Sequence, residues 1–316
     1  MTTRLMLLDT ASLYFRAYFG IPESVRAPDG TPVNAVRGLL DFIARLVTTY
    51  EPTDLVCCWD DDWRPGWRVD LIPSYKSHRV VAPRPSGVDI EETPDPLEAQ
   101  IPIIRAVLAA LGIAVIGAPD HEADDVIGTL ATQAGVPVDI VTGDRDLFQL
   151  VSDERTIRVL YTARGVGKLE LVTDEVVARK YGVLPEQYVD FAVMRGDPSD
   201  GLPGVKGVGD KTAASLLQRY GDLDGIRDAA LDPTSSLAGG VRGKLLEASE
   251  YLDVAPTVVQ VACDLSLPPA ATRIAAPEAA DLTTFEAIVE TWGLGSSAGR
   301  AVEALRSRAT GPGIGA

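Results

Sequence analysis

Short apolar runs and stretches of helical periodicity alternate along the first half of the chain. RLMLLDT (4–10) ends on Asp9 and leads into SLYFRAYFG, whose large residues recur at helical spacing. VNAVRGLLDFIARLVTTY (33–50) repeats the helical period, and DLVCCWD (54–60) is a β-branched and aromatic run that ends on Asp60. LEAQIPIIRAVLAALG, IAVIGA, a helix opening at HEADDVIGTLA (121–131) and VDIVTGD, which ends on Asp144, continue the alternation. Strands that are apolar throughout suit a parallel sheet covered on both faces by helices. From Thr173 the period is helical, in TDEVVARKYG, PEQYVDFAVMRGD, KTAASLLQRYG and GKLLEASEYLDVA, with PTVVQVAC as the one strand-like run. The pattern therefore predicts an α/β domain over 1–175, with a mainly parallel sheet, and a helical domain over 176–300. The four prolines of VVAPRPSGVDIEETPDP (80–96) mark an irregular excursion. Residues 301–316, ending ATGPGIGA, are expected to be a disordered tail.

One regularity cuts across these elements. Asp9, Asp60 and Asp144 each close a predicted strand, and Glu122 follows IAVIGA by a few residues. Ligands of open α/β sheets bind at that carboxyl edge. A single aspartate there is ordinarily a helix N-cap, but here four connections bring acids to one place. EADD adds Asp124 and Asp125, GDRD adds Asp146, and RGDPSDGLPG adds Asp197 and Asp200. Nine carboxylates without cations would repel one another and take up protons. All-oxygen coordination suits Mg²⁺ or Mn²⁺, and two such ions in one site stabilise the attacking and leaving oxygens of a phosphoryl displacement. One or two of the nine are expected instead to cap helices or to pair with Arg145 and Arg195. Glu122 and Asp125, three apart, can share a helix face, whereas spacing leaves the direction of Asp124 open.

Composition narrows the chemistry further. The 316 residues carry a net charge of −16, which argues against a polyanion held by overall charge. Yet Arg64, Arg68, Lys76, Arg79 and Arg84 crowd one segment with a single acid, Asp70. Within it SYKSHR offers Tyr75 for stacking on a base and Lys76 and Arg79 for phosphate, although a solvated charged loop has the same composition. Only two histidines occur, so histidine-rich metal sites and Ser-His-Asp catalysis are nearly closed off. No GxxxxGK[ST] occurs, which disfavours a P-loop NTPase. GLPGVKGVGDKTAASLL (201–217) sets Gly204, Gly207 and Gly209 in a turn before a helix N-terminus, with Lys206 and Lys211 beside it. That spacing reads as a helix–hairpin–helix that grips the backbone of duplex DNA without reading bases. No run of about 20 apolar residues spans a membrane. MTTRLMLLDT lacks a signal-peptide cleavage region, and three cysteines suit a reducing compartment, so a cytoplasmic protein is expected.

These constellations occur together, in this order, in the 5′ nuclease family, which includes the 5′→3′ exonuclease domains of bacterial DNA polymerase I and the flap endonucleases. The chain resembles that family over about residues 4–290, through LLDTASLYFRAY, WD (59–60), YKSHR, EADDVIGTLA, VTGDRDLFQLV and MRGDPSDGLPGVKGVGDKTA. No polymerase sequence follows, so a stand-alone member is expected. The resemblance implies a PIN-like α/β fold and assigns Asp9, Asp60, Glu122, Asp124, Asp125, Asp144, Asp146, Asp197 and Asp200 to two or more divalent ions. It places Lys76 on the scissile phosphate, Arg79 nearby, and Arg68 in a helical arch at about 63–98 that admits the single strand. Residues 201–213 match the potassium-associated motif that holds duplex DNA. Arg16, Arg37, Arg68, Tyr75, Gly204, Lys206, Gly207, Gly209, Lys211 and Thr212 make up the expected DNA contacts.

The implied activity is 5′→3′ exonuclease and 5′-flap cleavage of DNA, leaving 5′ phosphate and 3′ hydroxyl, in primer or flap removal and repair. A monomer is expected, with a polymerase or ligase as candidate protein partner. Two departures stand out: Asp61 and Asp62 follow Asp60 where polymerase-linked members carry small and basic residues, and Gly201 stands where many have asparagine. An aspartyl-phosphate phosphatase wants a second aspartate two residues after Asp9, where Ala11 stands. A DNA-structure-binding protein without catalysis would not keep the whole acid set. An RNA-directed nuclease on the same fold differs only in its substrate.

Overall fold

A computed structural model describes residues 3–82, 89–276 and 279–310. β1 (Leu5–Asp9) runs directly into α1 (Thr10–Gly20), and α2 (Asn34–Tyr50) precedes β2 (Asp54–Cys58). After α3 (Gly66–Leu71), a two-stranded ribbon pairs β3 (Val80–Ala82) with β4 (Ile90–Glu91). Then follow α4 (Asp95–Glu98), α5 (Ile101–Ala110), β5 (Ala114–Ile116), α6 (Ala123–Gln133), β6 (Val138–Thr142), β7 (Ile157–Tyr161) and β8 (Glu170–Val172). The rest is helical: α7 (Asp174–Tyr181), α8 (Tyr188–Arg195), α9 (Asp210–Tyr220), α10 (Leu223–Leu231), α11 (Gly239–Glu247), α12 (Ser249–Val259), α13 (Ala279–Trp292) and α14 (Gly295–Thr310).

The main sheet has the order β5-β2-β1-β6-β7-β8 and is parallel except for β8. Its central strands explain the unbroken apolar runs, because β1 and β6 are buried at every position. Leu5 and Leu7 face one core with Val126 and Ile127 of α6, while Met6 and Leu8 face the other with Leu39 and Ile43 of α2. Two-faced burial erases the polar alternation that a half-exposed sheet would show.

β7 and β8 lie in a stretch where no strand is predicted. Arg158 interrupts the apolar pattern of β7, and it is tolerated because its guanidinium meets the fully buried Asp139 of β6 at 2.6 Å. PTVVQVAC is not a strand: Pro256 and Val259 sit inside α12, and the chain runs extended beyond it. The expected disordered tail is helical through Thr310, residues 311–316 lying outside the described set. α14 also packs back on α2, not on the helices of 174–259. Its buried face is Ser297, Ala298, Ala301, Ala304 and Leu305, small residues that allow close approach but carry little hydrophobic signal. The segment expected as a helical arch holds, among the described residues, only α3, a 3₁₀ turn at Ser77–Arg79, the ribbon and α4. Residues 83–88 of the expected excursion lie outside the described set. Among the described residues no helix is long and apolar enough to cross a membrane.

Candidate active site

The carboxyl edge of the sheet gathers most of the predicted acids. Asp9 ends β1 and caps α1, accepting the Ser12 N–H at 3.1 Å and the Thr142 hydroxyl at 2.7 Å. Asp60, just past β2, accepts the Ala123 N–H at 2.8 Å. Glu122 is the N-cap of α6, and Asp124 sits in that helix's first turn, where the helix dipole eases negative charge. The amide of Asp144 binds the Thr142 hydroxyl at 2.9 Å, and its carboxylate accepts the Asp146 N–H at 2.9 Å. Asp9, Asp60, Glu122, Asp124 and Asp144 line one cavity of ≈ 470 Å³ together with Lys76 and Arg79. Asp146 and Asp200 line a small recess that also touches Glu122 and Asp124. Asp197 stands at the end of α8 in an ion pair with Arg195 at 3.2 Å and accepts the Ser199 N–H at 2.8 Å.

Lys76 and Arg79 reach this edge through an irregular turn. Lys76 has left-handed backbone (φ 47°), and its N–H donates to the Asp200 carbonyl at 2.9 Å. Its ammonium donates to Glu122 at 2.7 Å, while Arg79 bonds the Ser199 carbonyl at 2.7 Å and the Asp200 carboxylate at 3.0 Å. The neighbouring Ser74 hydroxyl donates to the Gly201 carbonyl at 2.8 Å. Gly201 itself has φ +70°, and a Cβ there would lie 2.1 Å from the Ser74 carbonyl oxygen. Asparagine adopts positive φ easily, but this junction has no room for its Cβ.

The electrostatics are those of buried acids that crowd one another. Burial, reinforced by Asp60, pushes Asp9 up to about 7. Burial and then Asp9 and Asp144 push Asp124 well above the usual carboxylate range, and burial with Asp144 and Asp200 does the same to Asp146. Burial alone would lower Lys76, but Glu122, Tyr75 and Asp200 outweigh it and hold the ammonium well above its ordinary value. Among the described residues no group of three His, Cys, Asp or Glu side chains converges into a ready-made ion cage. The donor chemistry still fits hard divalent cations: a cavity of ≈ 470 Å³ walled by buried carboxylates, of which that of Asp124 makes no hydrogen bond among the described residues.

Other named residues lie apart from the cavity or at its rim. Asp125 does not face the cavity. It is fully buried, accepting both Arg68 guanidinium nitrogens at 2.8 and 2.7 Å, the Ala262 N–H at 2.8 Å and the Glu122 N–H at 3.2 Å. Those donors occupy the lone pairs that a cation would need. Arg68, expected to contact DNA, is 2% exposed and also bonds the Val258 carbonyl at 3.0 Å. Tyr75, expected to stack on a base, is buried with its hydroxyl donating to Glu122 at 2.8 Å. Arg37 lies against Gly295 at the start of α14, away from the residues that line the cavity. Asp61 pairs with Arg105 at 3.5 Å, and buried Asp62 accepts the Arg64 N–H at 3.0 Å, so neither lines the cavity. Arg16 sits beside Gly143, a cavity residue, and reaches the Ala163 carbonyl at 3.5 Å.

Sequence reasoning missed Thr142 and Ser12, which orient Asp9 and the Gly143 turn. It also missed Trp63 and Glu91 on the cavity wall. Glu91 lay hidden in a segment read as irregular, and hydroxyl residues at strand ends carry no sequence signal.

The hairpin motif joins α8 to α9. Gly196, Gly204 and Gly207 have positive φ, and Gly196 and Gly204 approach so closely that a Cβ on either would lie within 2.7 Å of the other's backbone. Val205 and Val208 anchor the turn in the core, while Lys206, Gly207, Gly209 and Lys211 are exposed and Thr212 is half-buried.

A parallel sheet with an acid-rich carboxyl edge, joined to helices that present a glycine hairpin, defines a carboxylate-site α/β protein with a helical DNA-grip type of partner domain. Residues 4–182 match the family described as 5′-3′ exonuclease, N-terminal resolvase-like domain, and residues 183–281 match 5′-3′ exonuclease, C-terminal SAM fold. The chain belongs to the 5′-3′ exonuclease family. It is 60% identical over 301 residues to the 5′-3′ exonuclease of Streptomyces coelicolor, covering 95% of this chain and 99% of that one. It is 44% identical over 248 residues to DNA polymerase I of Mycobacterium tuberculosis, covering 77% of this chain but 25% of the polymerase. The bacteriophage T5 flap endonuclease, solved in a complex with DNA and metal ions, shares the fold at 15% identity with a TM-score of 0.63, over 98% of this chain and 100% of that one.

Proposed function

We propose that the protein is a structure-specific 5′ nuclease, both 5′→3′ exonuclease and 5′-flap endonuclease, that hydrolyses DNA phosphodiesters to 5′ phosphate and 3′ hydroxyl. The observation that carries this is the convergence of Asp9, Asp60, Glu122, Asp124 and Asp144 with Lys76 and Arg79 on one cavity at the sheet edge, in a chain of this family. Those acids, with Asp146 and Asp200 in the adjoining recess and Asp197 behind them, would hold divalent ions. When bound, Mg²⁺ or Mn²⁺ would supply Lewis-acid activation of water and neutralise charge on the phosphate.

The chain's own groups do the rest. Lys76 and Arg79 offer the cationic donors nearest the acids, and both exchange an internal carboxylate for a phosphate oxygen when the strand enters. Thr142 and Ser12 hold Asp9 in one orientation, and Tyr75 does the same for Glu122. Asp125 and Arg68 fix the α6 N-terminus against the Val258–Ala262 segment and so aim Glu122 and Asp124. The exposed amides and lysines of 204–212 hold the duplex by its backbone, and the same turn would hold K⁺, which would add positive charge beside the phosphates. Arg16 contacts the strand near the cavity.

Division into a nuclease domain and a helical DNA-binding domain, a monomeric cytoplasmic protein, and a role in primer or flap removal beside a polymerase or ligase complete the reading. Its test is cleavage mapping on a labelled 5′-flap duplex and on an RNA–DNA hybrid, with Mg²⁺, with Mn²⁺ and in EDTA. Metal-dependent cuts at the flap junction are expected, and a protein that binds the flap without cutting it in any metal would refute the proposal.

A further inference from the structure

The segment that leaves α12 follows no regular structure, yet side chains from three other elements bond its main chain. Arg68 of α3 donates to the Val258 carbonyl at 3.0 Å. On α6, Asp125 accepts the Ala262 N–H at 2.8 Å, and Thr129 bonds the Ala262 carbonyl and the Leu265 N–H at 3.3 Å each. Gln133 donates to the Cys263 carbonyl at 3.2 Å. These three positions, four apart, form one face of the helix. Gly128 lets the segment lie close to that face, since a Cβ there would meet the Ala262 carbonyl oxygen at 2.5 Å. The third element is the 3₁₀ turn Asp146–Leu150. Its Gln149 accepts the Val261 N–H at 3.0 Å and donates to the Val259 carbonyl at 3.2 Å and to the Asp146 carbonyl at 2.8 Å.

Two of these elements carry acids of the site. α6 begins beside Glu122 and Asp124, and the 3₁₀ turn begins on Asp146. Glu122, Asp124 and Asp146 line one recess, and Val258, Val259 and Val261 of this segment line it too. Like charges on the two elements push them apart, and in sequence only β6 joins them. We infer that Gln149 is a positioning residue that locks the Asp146 turn to the same main chain that Asp125 ties to α6, and so holds the acids of both elements in place for a divalent ion. The inference rests on the metal-dependent nuclease reading. Among side chains of this length only a carboxamide meets all three partners, with an acceptor for the Val261 N–H and donors for two carbonyls. A carboxylate would face both carbonyls without a hydrogen and add a negative charge beside Asp146. Methionine fills the same length and bonds none of the three.

The test compares wild type with Q149M, Q149N and T129V in three measurements: Mn²⁺ binding by electron paramagnetic resonance without DNA, flap-duplex affinity in EDTA, and single-turnover cleavage across a range of Mn²⁺. Q149M should bind at least one ion about 10- to 100-fold more weakly. It should need correspondingly more Mn²⁺ for half-maximal cleavage, with its flap affinity in EDTA unchanged. Q149N keeps the amide but falls one methylene short, so it should show a smaller loss of the same kind, and it carries the comparison if Q149M does not fold. T129V removes two bonds to the same segment one helical turn beyond Asp125, and should lower the melting point while binding Mn²⁺ as wild type does. If Q149M and Q149N bind Mn²⁺ like wild type, or T129V loses Mn²⁺ affinity to the same degree as they do, the positioning role is overturned. Wild type that binds Mn²⁺ more tightly than Q149M yet cuts no flap in any metal would instead overturn the nuclease reading and leave the positioning role standing. Wild type that binds no Mn²⁺ would overturn both.

Discussion

Two adjacent aspartates show how little a residue's identity says about its work. Asp124 and Asp125 share a helical turn, yet one opens on the cavity without a hydrogen bond among the described residues and the other is closed off by Arg68, Ala262 and Glu122. Asp124→Asn should abolish metal-dependent cleavage while leaving urea unfolding at or above the wild-type midpoint, since it removes a strained charge. Asp125→Asn should behave in the opposite sense. It strands a buried guanidinium, at a cost of about 3–5 kcal/mol, and any lost activity should follow the lost stability; an unfolding midpoint unchanged from wild type would contradict the assignment. Asp9 allows a signed pH test in EDTA. Its folded value of about 7 lies above the ordinary 3.8, so its contribution to stability is complete below about pH 4 and is lost as pH rises through about 7. Metal-free protein should therefore melt higher at about pH 6 than at about pH 8 by calorimetry. A melting point that climbs over that interval would show another group in control.

Among the elements, the sequence made the parallel strands legible because two-faced burial leaves unbroken apolar runs such as LMLL and LVCC. It made the acid edge legible because three of the runs stop on Asp9, Asp60 and Asp144. What it hid follows from weak or cancelled signals. β7 carries an arginine whose partner lies one strand away, and α14 buries alanines and a serine that no hydropathy pattern marks. The direction of Asp125 was hidden because helical spacing puts it near Glu122 without revealing that Arg68 arrives from another segment. Gly201 is the element-level test of the junction between the 74–79 turn and the hairpin. Gly201→Ala forces a Cβ against the Ser74 carbonyl at positive φ, which should destabilise by about 1–3 kcal/mol. It should also lower kcat, by shifting Lys76, more than it raises KM. Full activity at wild-type stability would mean that the junction is slack.

At the scale of the molecule, a net charge of −16 makes local placement of lysines decisive. Lys206 and Lys211 stand exposed on the hairpin, and Lys244 reaches the Gly207 carbonyl at 3.3 Å. Replacing Lys206 or Lys211 with alanine should weaken duplex binding for every sequence alike and reduce the slope of log K against log[salt] by about one, as fluorescence anisotropy would register. A sequence-dependent loss would assign base reading to the hairpin instead.

The bond from the Lys76 N–H to the Asp200 carbonyl and the bond from Ser74 to Gly201 tie the turn that carries the lysine to the loop that leads into the hairpin. These two bonds use main chain and a single short hydroxyl, and the Arg79 guanidinium reinforces them on the Ser199 carbonyl and the Asp200 carboxylate. Under the nuclease reading, the molecule thereby carries a ruler. Its zero mark is the duplex end at the hairpin, its cutting mark is Lys76, and the interval between them is blind to base sequence.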